Sequence, residues 1–555
     1  MNKNKLLILL VPTLLSGSAL MCAAPASKSN LIKTIEEEPH ITRTIYEAVD
    51  TTPSDEKVTI HILHQEDYLD ESLLDAFMER YPNCKVVFDK TDTNETLYNM
   101  IQTGKSEYNV VTCSEYMIQR LASEDMILKI SNTGDKAHDD LVDALLSNAN
   151  NNVSHWLSNP ERNGMVDKIN VYNKKTKEKI GVLSDYTVGY MWGTLGTVVN
   201  PYYNEYVKRG MDKDYIVDGL RGDDGWSKFW DKEYKGTHSI KESMRDTYAL
   251  GIFEVFKDQF LDVEHGWTRE YKNDTFFNDS SKETIKLVKD SLIDLKGNIF
   301  GFEVDSGKND IVTGKIGMNL AWSGDAAFSI LKGQYYPGPD ENYDEEKPDD
   351  KKTYLYYNIP NIGANVWFDG FAMPKMKDPN YVGSEEYKYT LRFLDFISEA
   401  ESVVANMSTT GFTSFMSGVG SENNPIVDFI FDTFVTEDPK ATVPYDISYF
   451  FNGVDSMDMT IMVDPDSYEG RLLVAQYPEK DMIDRLYIME DYGENNQKIV
   501  QMWEDIKVNP LPIWIVVCLI VFVVVLLGYL GSYKLIKAYK VKKRKELRNK
   551  PKIAK

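Results

Sequence analysis

Cysteine is scarce in this chain, with four in 555 residues and no CxxC pair. Cys22 and Cys518 fall in apolar segments near the two ends, leaving Cys84 and Cys113 in the body. Cys84 opens a predicted strand (CKVVFDK) and Cys113 closes another (YNVVTCS). In a parallel sheet those are opposite ends, which argues against a disulfide. The seven histidines are scattered and no His/Cys cluster has metal-ligand spacing, so neither a zinc site nor a redox centre is expected. GxGxxG and GxxxxGK[ST] loops are missing, and with them any sign of a nucleotide cradle. GxSxG and HExxH are missing too, leaving a membrane-anchored hydrolase without support, because paired acids alone are weak evidence for catalysis. No internal repeat occurs, and neither a cofactor nor a catalytic residue is expected.

What is present starts at the ends. MNKNK, a short apolar run and small residues up to Ala26 form a secretory signal over residues 1–26. Cys22 raises lipidation, and an uncleaved anchor is a further alternative, although Ala19-Leu20-Met21 is a poor lipidation context. Residues 508–533 carry no charge, and 513–530 are nearly all Ile, Val, Leu and Phe, so a transmembrane helix is expected over 511–533. Trp514 and Tyr529 stand near its ends, where amphipathic rings favour the interface. The tail at 534–555 holds eleven Lys or Arg against the single acid Glu546, which places it in the cytoplasm and the preceding body outside. With a whole-chain charge of −24, that tail at +10 and the leader at +2, the body between carries about −36. Such a body repels nucleic acid and anionic lipid and attracts cations.

About 480 exported residues are too many for one core. Residues 27–57 are polar and acidic and read as a linker. VTIHILH, ESLLDAFMERY, KVVFDK, ETLYNMIQTG and NVVTCS then alternate strand and helix patterns, the signature of a parallel α/β sheet. A second α/β region opens near Tyr190, with a helix from Ser243 and another over 381–407. Residues 333–353 and 423–476 read as insertions.

IGANVWFDGFAMP (362–374) places Trp367 and Asp369 two residues apart in an extended segment, hence on one face. A carboxylate beside an indole suits an organic ammonium ion by charge and by cation–π attraction. A buried Trp next to a solvated Asp is the plainer alternative.

NETLYNMIQTGKSEYNVVTCSEYMIQRLASEDMILKI, YTVGYMWGTLGTVVN, WSKFWDKEYKG, MNLAWSGDAA and GANVWFDGFAMP occur in that order. Together they resemble the spermidine/putrescine-binding proteins of polyamine ABC transporters, a bacterial extracellular solute-binding family, over about residues 58–508. The resemblance implies an α/β, two-domain periplasmic-binding-protein fold of type II with an interdomain cleft. Domain 1 is expected over 58–192 and 368–420, and domain 2 over 193–367 and 421–507. The crossings would fall near residues 192–194, near Phe368 and near Gly420.

Carried over position by position, the resemblance puts Asp369 on a ligand amine and Trp367 and Trp322 against the methylene chain. It places Ser114, Tyr116 and Tyr68 at the pocket wall, Asp246 at the far amine, and Phe412 where a tyrosine is usual. The chain departs from the pattern at Gln65-Glu66, where a Trp-Thr pair is usual, so Glu66 becomes a candidate ligand acid. It departs again at Ser243, where an acid is usual, and near Met489 or Glu490, where a glutamine is usual. The implied function is a non-enzymatic receptor that hands a polyamine to a permease driven by a cytoplasmic ATPase, tethered by the C-terminal helix. A same-fold receptor for another cationic amine, a sugar or an iron complex is the alternative, as is a membrane-anchored sensor or adhesin.

Overall fold

The computed structural model describes residues 31–38, 41–48, 57–104, 107–154, 156–158, 164–336, 345–418, 424–451, 458–508 and 513–548. The expected signal at 1–26 and the crossing near Gly420 lie outside the described residues. The chain forms two compact units, Met1–Val500 and Gln501–Lys555.

The first unit is organised by one sheet of thirteen strands. At its centre β3 (Val58–Gln65) runs parallel to β4 (Cys84–Thr91) on one side and β5 (Val110–Ser114) on the other. The connecting helices are α1 (Ser72–Arg80) and α2 (Asn94–Thr103), and α3 (Glu115–Ser123) follows β5 directly. Helix α1 forms because Leu73, Leu74, Phe77 and Met78 fall on one face at helical spacing, and all four are buried. In α2, the Thr93 side chain accepts from the Thr96 amide at the N-cap, and Gly104 at φ 59 closes the helix in the left-handed region. Cys84 and Cys113 are free and buried, and Cys113 pairs in register with Gly370.

Residues 31–48, expected within a linker, instead build strands. β1 (Leu31–Glu38) and β2 (Ile41–Ala48) form an antiparallel hairpin, and β2 pairs antiparallel with β4. A charged, β-branched strand suits a sheet edge, where one side stays solvated, and that is how an acidic stretch joins the sheet.

Two long strands, Val188–Val199 and Ala364–Ala372, lie antiparallel at the middle of the sheet and are buried throughout. Their registers change partners along their length. Asp369 to Ala372 pair with β5, whereas Ala364 to Val366 pair with the strand Leu486–Ile488. Likewise Val188 to Thr194 pair with the 364–372 strand, whereas Leu195 to Val199 pair with Met318–Trp322. Beyond lie His238–Lys241 and Gly301–Glu303, with His238–Lys241 parallel to both 318–322 and 301–303. Each long strand therefore joins one half-sheet to the other. The pairing of these two long strands shifts register between Asp369 and Gly370.

The helix expected over 381–407 is two, Glu385–Ile397 and Ala400–Thr410, because Glu399 adopts an extended conformation between them. The first packs Leu391, Leu394, Phe396 and Ile397 into the core, the apolar face read in the sequence. In the second unit, Ile513–Arg548 is one helix, and its stretch Val521–Lys545 is long and apolar enough to cross a membrane by length and composition.

Candidate ligand-binding site

The carboxyl ends of β3 and β5 meet the 364–372 strand where ligands meet parallel sheets. Asp369 sits opposite Ser114 in the ladder, and the Ser114 hydroxyl donates to Asp369 Oδ1 at 2.7 Å. The Ser114 hydroxyl in turn accepts from Asn94 Nδ2 at 2.9 Å, which fixes its direction. The Tyr68 hydroxyl, from the loop after β3, donates to Asp369 Oδ2 at 2.8 Å. Both carboxylate oxygens are thereby held by neutral donors, and the side chain is buried. Burial pushes the Asp369 carboxyl up to about 6, although Ser114 and Tyr68 pull it down, and the charge of Asp246 raises it further. Among the described residues no lysine or arginine pairs with Asp369.

Trp367 projects on the same face of the strand, is buried, and its indole N–H has no hydrogen-bond partner among the described residues. Its ring meets Phe412 edge-on at 5.6 Å, and Phe412 meets Tyr68 edge-on at 5.0 Å. This approach depends on glycine. A Cβ at Gly193 would fall on the Trp367 ring and the Ser323 hydroxyl, and a Cβ at Gly324 would fall on the Phe412 ring.

Trp322 ends the 318–322 strand, and the next helix, Ser323–Gln334, begins beside it. The Asp246 carboxyl is buried, and burial raises it above the ordinary aspartate value while Ser243, Trp322, Lys241 and Arg245 lower it. Ser243 is the N-cap of the helix Met244–Val255, its hydroxyl accepting from the Asp246 amide at 3.3 Å. The serine at the position of the resemblance's acid thus closes a helix end.

Two expected residues behave differently. Tyr116 is turned to Arg245, whose guanidinium stacks 4.2 Å from its ring and 3.8 Å from the Tyr492 ring. Glu66 is solvent-exposed, and only its backbone amide is fixed, to the Thr91 carbonyl at 3.2 Å. The loop turns there through Asp67 at φ 48 and buries Tyr68 while leaving Glu66 exposed.

Sequence reasoning missed five residues. Asn94 orients Ser114. Glu115, buried at the start of α3, accepts from the Phe368 amide at 3.1 Å and so fastens α3 to the long strand. Burial pushes its carboxyl well above the ordinary range, helped by the Asp369 charge. Lys241 and Arg245 bring positive charge among the acids. Asp325 lies inside the quoted MNLAWSGDAA segment, and that strand-end position was the signal available for it.

The family described as bacterial extracellular solute-binding protein matches residues 72–441. A putrescine-binding periplasmic protein of Pseudomonas aeruginosa is 24% identical over 350 residues, 63% of this chain and 75% of the relative. A putrescine-binding periplasmic protein of Escherichia coli is 23% identical over 397 residues, 71% of this chain and 85% of the relative. Among solved structures, a spermidine/putrescine ABC transporter protein from Listeria monocytogenes superposes with a TM-score of 0.51 at 17% identity, covering 81% of this chain and 98% of its own. That likeness is one of fold, the mixed α/β architecture of periplasmic binding proteins. The chain belongs to the bacterial extracellular solute-binding protein family.

Proposed function

We propose that this chain is the substrate-binding subunit of a polyamine ABC importer, taking an amine of the putrescine or spermidine class between its two half-sheets. The observation that carries this reading is Asp369, a buried carboxylate held by two hydroxyls beside Trp367 and Phe412, with no lysine or arginine paired to it among the described residues. Burying an unpaired carboxylate costs free energy that an arriving ammonium offsets, because charge-assisted hydrogen bonds and the indole face replace its water. Asp246 supplies a second buried acid, whose charge acts on the Asp369 carboxyl. Two putrescine-binding relatives and the excess of acid over base in the body support the same ligand class.

The two half-sheets act as the domains, and the 188–199 and 364–372 strands act as the hinge crossings, since each exchanges partners midway. The apolar C-terminal helix anchors the receptor beside its permease, which raises the effective concentration of loaded receptor there. Delivery to a permease coupled to an ATPase completes the cycle.

The test is thermal unfolding of the full chain in detergent with putrescine, spermidine, spermine and neutral sugars. A ligand of the native state raises the melting temperature by mass action. At least one polyamine is expected to stabilise the protein. Stabilisation by sugars without any by amines overturns the assignment.

A further inference from the structure

Three adjacent strands deliver a second group of charges to the same edge. Lys241 ends the 238–241 strand, Glu303 ends the 301–303 strand, and Asp325 lies in the first turn after Trp322. The Lys241 ammonium is 2.8 Å from Asp325 Oδ2 and 3.1 Å from Glu303 Oε1, and it donates to the Val304 carbonyl at 3.2 Å. It also stands 4.3 Å from the centroid of the Trp322 ring. The three charged side chains are 1%, 4% and 8% exposed for Lys241, Glu303 and Asp325. Two carboxylates, a carbonyl and an indole face form the recognition set for a primary ammonium, here filled by the chain itself.

This group borders the Asp369 cluster. Trp322, under the Lys241 ammonium, and Lys241 itself both hold down the Asp246 carboxyl. Gly324, next to Asp325, packs against Phe412, and Ser323 packs at Gly193 against Trp367. The Asp325 charge also acts on the Tyr68 phenol. Burial pulls the Lys241 ammonium toward neutrality, but Asp325 and Glu303 outweigh it and keep it charged.

We propose that Lys241 is a specificity-determining residue: its tethered ammonium takes the place a ligand's far ammonium would occupy, so the site accepts a short diamine and excludes triamines and tetramines. The proposal rests on the amine reading given above. A ligand bound at Asp369 and extending past Trp322 meets a fixed positive charge, and like charges in a dry site repel strongly. A diamine ends before that point, on the side of Asp246, whose charge acts on the Asp369 carboxyl.

Calorimetric titration of the full chain with putrescine, spermidine and spermine tests this. The wild-type protein is expected to bind putrescine at least about tenfold more tightly than spermidine. Lys241→Met frees Asp325 and Glu303 and is expected to raise spermidine affinity relative to putrescine by about tenfold or more. Two unpaired buried acids endanger folding. Lys241→Met with Asp325→Asn therefore keeps the charge balance and one free carboxylate, and is expected to move the ratio the same way. A wild-type preference for spermidine, or a folded variant with an unchanged ratio, overturns the proposal and leaves the amine reading standing. Binding of no amine by the wild-type protein overturns both. Should neither variant fold, the wild-type ratio decides.

Discussion

Asp369→Asn keeps the shape of the side chain and an acceptor for one hydroxyl while removing a buried charge. The free protein is expected to gain stability near neutral pH, by roughly 1–3 kcal/mol, and amine affinity to fall by about a hundredfold or more. Melting curves and titrations on the same sample separate the two effects, and a variant that loses stability and keeps its affinity would sink the assignment. The pH dependence follows from the same carboxyl. Its value of about 6 in the folded protein lies above the ordinary 3.8. Protonation therefore favours the folded free protein, a contribution fully present below about pH 4 and lost as pH rises through about 6. Amine binding requires the ionised form and runs the other way, weakening roughly tenfold between about pH 7 and pH 5. Affinity that does not change across that window contradicts the role. At this scale Trp367 and Asp369 were legible because strand alternation puts positions two apart on one face. Lys241 was not, because its meaning comes from Glu303 and Asp325, residues far along the chain that only the sheet brings together.

Ser243 and Gly193 test two elements. Ser243→Ala removes the N-cap of the 244–255 helix and is expected to cost about 1 kcal/mol of stability with amine affinity nearly unchanged. A large loss of affinity at constant stability would show that the serine contacts the ligand. Gly193→Ala forces a methyl group into the Trp367 ring and the Ser323 hydroxyl at the middle of a long strand. It is expected to destabilise the protein by about 1–3 kcal/mol and to weaken binding as well, since the indole must shift. The strand and helix alternation of residues 58–114 was readable from hydrophobic period alone, and its observed bounds differ by a residue or so. The hairpin at 31–48 was hidden by its acidic composition, which resembles a solvated linker until an edge partner is known. The break at Glu399 was hidden for another reason: nothing in the apolar pattern of 385–410 is interrupted there.

The whole molecule divides its labour between a strongly acidic body and a basic, apolar C-terminal end. The full chain is expected to sediment with membranes, and a version ending at Val508 to remain in the soluble fraction while still binding amine. Release of the full chain by high salt would argue against anchoring by the helix. The apolar end was plain in the sequence because twenty-odd uncharged residues have few other uses. The linkage of the half-sheets came from the ordered resemblance, and the partner exchange along the 188–199 and 364–372 strands shows how it is built. The two buried thiols offer a test of the hinge closure proposed above. Cys113 lies opposite Gly370, where the long strand changes register, whereas Cys84 lies at the start of β4. Alkylation of Cys113 reports loosening of the ladder beside the crossing, and alkylation of Cys84 reports loosening of the sheet away from it. If the proposed hinge closes on an amine, the bound amine is expected to slow the first reaction far more than the second.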